Sequence, residues 1–366
     1  MGVNRIFKRK QGLLLVVMVA TGLLFFFSFN VFYSKSQTQG LMDKLENGQK
    51  IRYLVLGDSI GRGSGAEKPE LTWFSQLENM IHEKYGSKMN GQYIVQSGAT
   101  SFEGIYKLQE TKVSPYTDLI FIVFGENDRK YMLKDDFAEL YENLIRHAKI
   151  SAPQANVITV IESSLPDEGF AQTIKDISQH YGAVPVDMRP VFKQSPLSIS
   201  ELTKDSVHPN GKGYSLYANE IFNTLSTLDH AQKSVTLPKA KYIQNEYQLK
   251  MNGRYNYNNG FTKHNGFLHS NKEKSQLIYQ FNGPIVGAVL FRGPDGGTAN
   301  IYIDDQFHST ISTWWPFQKE RYIYLANNLG EGTHELKIVP TGLQSKYNST
   351  NESYIRISGI LEKDKD

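Results

Sequence analysis

The sequence predicts two folded units behind an apolar N-terminal segment: an α/β unit built on a parallel sheet, then an all-β sandwich or jelly roll. Three observations carry this reading. Apolar, β-rich runs alternate with helix-period segments from about residue 51 to residue 228. That alternation stops near Ala231, where Gly, Asn and Tyr become frequent and turn signals separate short strands. An uncharged stretch runs from Gly12 to Tyr33. At 366 residues the chain is long for one domain and comfortable for two.

The apolar segment comes first. Residues 12–33 are long enough to cross a hydrocarbon core of about 30 Å as a helix. They are apolar on every face, unlike a buried core helix of a soluble domain. Arg5, Lys8, Arg9 and Lys10 precede them, so residues 1–11 form a basic tail that the positive-inside rule places in the cytoplasm. A cleaved signal peptide has a shorter apolar region ending in an A-x-A-like site, and none follows Phe27. The expectation is therefore an uncleaved single-pass anchor with everything downstream outside the cell. Residues 34–50 are polar and read as a linker, reaching roughly 20–25 Å if flexible.

In the α/β unit, taken as residues 51–228, strands are expected at Tyr53–Leu56, Tyr93–Val95, Leu119–Phe124, Val157–Ile161 and Val184–Val186. Helical spacing keeps Trp73, Phe74, Leu77 and Ile81 on one face, and likewise Phe137, Leu140, Leu144 and Ala148. Phe170, Ile174 and Ile177 make a third face, and Tyr214, Tyr217, Ile221 and Leu225 a fourth. Alternating strands and helices imply a parallel sheet covered on both faces. Ligands in such folds bind beyond the carboxyl ends of the strands.

Residues 229–244 read as a second linker and 245–366 as the β unit. Strands are expected at Ala299–Ile303, Tyr322–Leu325, His334–Val339 and Tyr354–Ile357. Pro294-Asp295-Gly296-Gly297 and Asn328-Leu329-Gly330-Glu331-Gly332 mark turns between strands. Trp314 and Trp315 are candidates for a sugar-stacking platform, or else fill the sandwich core.

Composition excludes several functions. With 40% hydrophobic and 21% charged residues the chain is not broadly disordered. The four N-terminal basic residues account for more than the whole formal charge of +3. The remainder is near neutral and offers nucleic acid no electrostatic footprint. The absence of cysteine rules out disulfides, thiolate metal sites and a thiol nucleophile. In an exported protein it points to a bacterial host. No His/Asp/Glu spacing suggests a metal site, and no cofactor is implied. Gly61-Arg62-Gly63-Ser64-Gly65 lacks the Gly-Lys-Ser/Thr of a phosphate loop and reads as a flexible loop.

Four segments place chemistry at strand ends. Gly57-Asp58-Ser59 closes the first strand and puts a serine on a tight turn. Gln96-Ser97-Gly98 follows the second, where glycine exposes its N–H. Gly125-Glu126-Asn127-Asp128 follows the third, where an Asn amide can donate to a developing oxyanion. Asp205-Ser206-Val207-His208-Pro209 precedes the last helix, and Asp three residues before His can reach its Nδ1. Each segment alone is an ordinary turn or cap.

Together, in the order Ser59, Gly98, Asn127, His208, they resemble the SGNH (GDSL-type) hydrolase superfamily over residues 50–228. One departure is Gln96, where an Asn is common. The resemblance implies a flavodoxin-like three-layer domain. It makes Ser59 the nucleophile and Asp205 and His208 the rest of a triad. Its oxyanion hole would be the Ser59 and Gly98 N–H groups and the Asn127 side chain. Three function classes follow. The first is a serine esterase removing O-acyl, foremost O-acetyl, groups from a cell-surface glycan. The second is an O-acetyltransferase using the same triad, partnered by a multispanning membrane protein that supplies acyl groups. The third is a non-catalytic glycan-binding protein, disfavoured by the intact Ser59/Asp205/His208 set. A lipase would want an apolar lid, and no such insertion lies between the motifs.

Overall fold

In the computed structural model, residues 39–228, 236–243 and 246–364 are described. The basic tail, the anchor expected at 12–33 and part of each linker lie outside them. Among the described residues no helix is long and apolar enough to cross a membrane.

The described chain begins with a short helix, α1 (Leu41–Glu46). The first half of the fold then runs β1 (Ile51–Gly57), α2 (Trp73–Tyr85), β2 (Met89–Val95), α3 (Ser101–Gln109), β3 (Leu119–Val123) and α4 (Lys134–Ser151). It continues β4 (Asn156–Ile161), α5 (Glu168–His180), β5 (Val184–Asp187), α6 (Met188–Gln194), α7 (Ile199–Leu202) and α8 (Gly211–Ser226). The five strands pair in parallel in the order β2-β1-β3-β4-β5, the flavodoxin-like order. β3 and β4 are buried at every position, which is why they read as unbroken apolar runs. Alternate residues serve opposite layers. Leu54, Leu56, Ile120 and Ile122 pack with α3, α4 and α5. Tyr53, Val55, Phe121 and Val123 pack with α2 and α8.

Two stretches expected as linkers are structured. Leu41, Met42 and Leu45 of α1 are buried in the α2/α8 layer, because this polar stretch carries three apolar residues at helical spacing. Within 236–243, the Lys241, Tyr242 and Ile243 N–H groups donate to the Glu142 carboxylate at 2.7–2.9 Å, pinning the connection to α4.

The second half is antiparallel. Its strands are β6 (Leu249–Asn252), β7 (Tyr257–Asn259), β8 (Thr262–His264), β9 (Phe267–Ser270), β10 (Gln276–Asn282) and β11 (Val286–Arg292). Then come β12 (Gly297–Ile303), β13 (Gln306–Ser312), β14 (Lys319–Ala326), β15 (Thr333–Gln344) and β16 (Ile355–Lys363). They form two sheets, β13-β12-β15-β10-β7 and β14-β11-β16-β9-β8, with β6 added to β16. Leu277, Tyr279 and Phe281 of one sheet meet Val286, Ala288 and Leu290 of the other in the sandwich core.

The two units share a core-like interface. The outer face of the β14-β11-β16 sheet carries Val289, Tyr324 and Leu361 into the same cluster as α3 and α4. Phe102 of α3 fills the gap left by Gly287, where a β-carbon would stand 2.4 Å from its ring. The helix that follows the Gly98 loop is therefore the one the β unit sits on.

Candidate active site

The switch point of the parallel sheet lies between β1 and β3, and both strands end in candidate residues. After β1 the chain turns sharply at Asp58-Ser59. The buried Asp58 carboxylate accepts from the Ile60 N–H at 2.8 Å, and Ser64 N–H closes the loop onto the Ser59 carbonyl at 2.9 Å. Tyr214 of α8 donates to the Ser64 carbonyl at 2.7 Å. The glycine-rich segment expected to be flexible is thus tied at both ends, with Ser59 only 6% exposed.

His208 reaches Ser59 from the loop before α8. Its Nε2 lies 3.0 Å from Ser59 Oγ and its Nδ1 lies 2.7 Å from Asp205 Oδ2. The other oxygen of Asp205 accepts the Val207 and His208 N–H groups at 3.2 and 2.8 Å. Ser206 takes the left-handed conformation (φ 67°) that this tight turn requires. Burial alone would raise the Asp205 pKa, but the His208 N–H and ring, with the Val207 N–H, hold it below the ordinary carboxylate value. An ionised Asp205 accepts only, so His208 Nδ1 carries the proton and Nε2 is left to accept from the Ser59 hydroxyl.

Three candidate donors come from the loops that follow β1, β2 and β3. Gly98 sits at φ 71° in a turn closed by Ala99 N–H donating to the Gln96 carbonyl at 2.9 Å, a position a type II turn reserves for glycine. Among the described residues neither the Ser59 nor the Gly98 N–H donates to the backbone. Asn127 Nδ2 donates to Asp58 Oδ2 at 2.6 Å, a bond that holds the amide and uses one of its two N–H groups.

A layer of buried acids holds these loops, and sequence reasoning did not assign it. Asp128 Oδ1 accepts from both the N–H and Oγ of Ser101, at 2.7 and 2.6 Å, joining the Asn127 turn to the start of α3. Glu162 at the end of β4 accepts the Glu126 N–H at 2.7 Å. Burial pushes the Asp58 and Asp128 pKa values up to about 6 and the Glu162 carboxyl up as well, with the neighbouring Asp58 charge adding to the rise. Asp58 and Asp128 stand inside the quoted motifs, yet nothing in their spacing distinguishes a structural acid from a turn residue.

The tryptophan pair divides. Trp315 lies against the site: its ring edge is 3.3 Å from where a β-carbon on Gly98 would stand. Trp314 instead packs on Tyr347, with ring centroids 5.2 Å apart. Trp315 is flanked by Arg321 and Arg292, whose guanidinium carbons lie 4.6 and 5.2 Å from its ring. Arg321 is itself paired with Glu103 of α3 at 2.9 Å. These arginines carry no local signal in the sequence; only the docking of the two units brings them to Gly98.

Residues 55–216 match the model of the GDSL-like Lipase/Acylhydrolase family. No curated protein sequence matches the chain. Two solved structures of a two-domain esterase (CEX) active on acetylated mannans resemble it across both units. One has 18% identity and a TM-score of 0.65. The other, co-crystallized with mannopentaose, has 19% identity and a TM-score of 0.67. Each alignment covers 89% of this chain and 94% of the other. At this identity the likeness establishes a shared fold, a GDSL-type α/β unit followed by an antiparallel β unit.

Proposed function

We propose, from the GDSL-type domain and the arrangement around Ser59, that this chain is a serine esterase acting on O-acetyl groups of a cell-surface glycan through an acyl-enzyme on Ser59. The observation that carries the reading is the continuous relay Ser59 Oγ, His208 Nε2, His208 Nδ1, Asp205 Oδ2, with steps of 3.0 and 2.7 Å. A serine hydroxyl is a weak nucleophile until a positioned base takes its proton. Here His208 Nε2 takes it as Oγ attacks the ester carbonyl. The oxygen that gains charge is met by the Ser59 and Gly98 N–H groups and by Asn127 Nδ2, each such donor contributing on the order of 3 kcal/mol. His208 then returns the proton to the departing sugar oxygen, and Asp205 stabilises the imidazolium between the two steps. Water, activated by the same nitrogen, releases acetate.

Resolution of the acyl-enzyme by a sugar hydroxyl instead of water gives the transferase alternative. The cavity of about 410 Å³ beside Gly98, bounded by the β unit, offers room for such an acceptor. The anchor expected at 12–33 would hold the site outside the cytoplasmic membrane, near a cell-wall glycan. The test is acetate release from 4-nitrophenyl acetate by the full-length chain in detergent, beside Ser59→Ala, with and without added oligosaccharide acceptors. Turnover lost in Ser59→Ala supports the serine mechanism. Acceptor-dependent acetylation of the sugar favours transfer, and equal inertness of both proteins sinks the enzyme reading.

A further inference from the structure

The surroundings of Trp315 carry more positive charge than the rest of the chain prepares one for. Arg292, Arg321, Lys107 and Lys319 gather around Glu103, with Arg62 beside Lys319 and a second carboxylate, Glu320, accepting from Tyr322. Glu103 is already held by Arg321 and by Lys107 at 2.9 Å each. Burial first, and then Lys107, Arg321 and Arg62, hold the Lys319 ammonium below its ordinary pKa. Burial and the Arg321 guanidinium push Arg292 down to about 10, which still leaves it a cation at neutral pH.

Donors in this cluster outnumber acceptors. Arg292 Nε, Arg321 Nη1 and Trp315 Nε1 are all buried with no hydrogen-bond partner. Arg292 lines the cavity of about 410 Å³ whose wall also includes Gly98, Lys130 and Tyr131. Lys130 in turn reaches Asn127 Oδ1 at 3.5 Å, so the cavity borders two of the three loops that supply the oxyanion donors. Glu103 lines the same cavity but is already shared between Arg321 and Lys107, so Arg292 has no carboxylate of its own, and an unmatched buried cation is costly. Folds retain such a group where a ligand supplies the missing charge.

We propose that the cleft between the two units is an anion subsite, in which Arg292 holds a carboxylate or phosphate of the glycan next to the acylated sugar. That the neighbouring sugar is acylated rests on the esterase reading; the anion site does not. The substrate class becomes an acidic polysaccharide, a uronic-acid or phosphodiester chain, in preference to a neutral one. The planar fork of Arg292 suits either oxyanion. Lys319 and Arg62, exposed nearby, add attraction that salt screens.

The test is binding to full-length Ser59→Ala in detergent, titrated with trigalacturonate, a glycerol phosphate trimer and neutral mannotriose. At least one anionic trimer is expected to bind tenfold or more tightly than mannotriose, with the preference shrinking as salt rises. Which trimer wins identifies the carboxylate or the phosphate source. Adding Arg292→Met should abolish the preference, and Arg292→Lys should retain part of it. Should Arg292→Met fail to fold, the double variant Arg62→Gln/Lys319→Gln, at exposed positions, is expected to cut the preference at least threefold. Equal binding of all three trimers, or a preference untouched by these substitutions, overturns the proposal. Because Ser59→Ala is used throughout, an inert wild-type enzyme would count against the esterase reading and leave these ratios standing.

Discussion

Arg321 of β14 and Glu103 of α3 join the two units through an ion pair of 2.9 Å in which neither side chain is more than 1% exposed. Desolvating both charges is costly, so the pair adds little net stability compared with a well-packed apolar pair. Removing one partner is another matter. Glu103→Gln leaves Arg321 buried among other cations, and unfolding by urea should show a loss of about 3–5 kcal/mol. The double variant Glu103→Leu/Arg321→Met should regain most of it. A single variant losing under about 1 kcal/mol would show that the interface is wetter than described.

Gly98 is expected to tolerate no side chain. At φ 71° an alanine is strained, and its β-carbon would press on the Trp315 ring. Displacing this N–H should lower kcat on a simple acetyl ester by about 10²-fold. Trp315→Ala removes the crowding but not the backbone strain, so the double variant should recover only part. Steady-state kinetics of the three variants check this, and near-normal kcat in Gly98→Ala would remove that N–H from the oxyanion hole.

Asp205→Asn should lower kcat by about 10⁴-fold, and His208→Ala by at least as much, because the carboxylate orients the imidazole while the imidazole moves the proton. The Asp205 carboxyl is held below its ordinary pKa of 3.8. It is therefore ionised at pH 5 and above. The loss in Asp205→Asn should accordingly be present across the range from pH 5 to pH 9. A loss confined to one end of a pH–rate profile contradicts this assignment.

Asp128 makes a prediction about stability. Its folded pKa is about 6 against 3.8 unfolded, with burial as the largest cause. The folded state thus favours the neutral acid. Its contribution is full below pH 3.8 and is lost as pH rises through about 6, a change of about 3 kcal/mol at most. Asp128→Asn keeps the Oδ1 acceptor for Ser101 and loses the titration. Urea midpoints between pH 4 and pH 7 should fall less steeply in the variant. The Asp58 carboxyl, also pushed up to about 6, keeps its own slope in both proteins. Parallel slopes would mean that Asp128 is ionised in the fold at pH 4.

The parallel-sheet unit was legible in the sequence because its strands are buried on both faces and its helices on one. Five apolar runs and four periodic faces give five strands and four of the major helices. α3 escaped, since Phe102, Ile105, Tyr106 and Leu108 are buried on several sides and leave no clean stripe. In the β unit, β12, β14, β15 and β16 were visible. β11 was not, since Val286, Ala288 and Leu290 face the sandwich while Gly287 and Val289 face α3, so no polar alternation remains. β7 and β8 are short and exposed and carry no apolar pattern at all. Ser59, Gly98, Asn127, Asp205 and His208 could be named because together, in chain order, they resemble the SGNH pattern, although each alone reads as an ordinary turn or cap. Arg292, Arg321 and Glu103 could not, because they become neighbours only when one domain lands on the other.

The measurement that bears most directly on the central claim is the fate of the acyl group. Full-length protein mixed with 4-nitrophenyl acetate, quenched in acid during the first turnover and digested, is read by peptide mass spectrometry. The account predicts one acetyl group on the peptide containing Ser59, absent in Ser59→Ala and accumulating in proportion to the burst of 4-nitrophenol. A burst with no acetyl on Ser59, or turnover that survives Ser59→Ala, would contradict it.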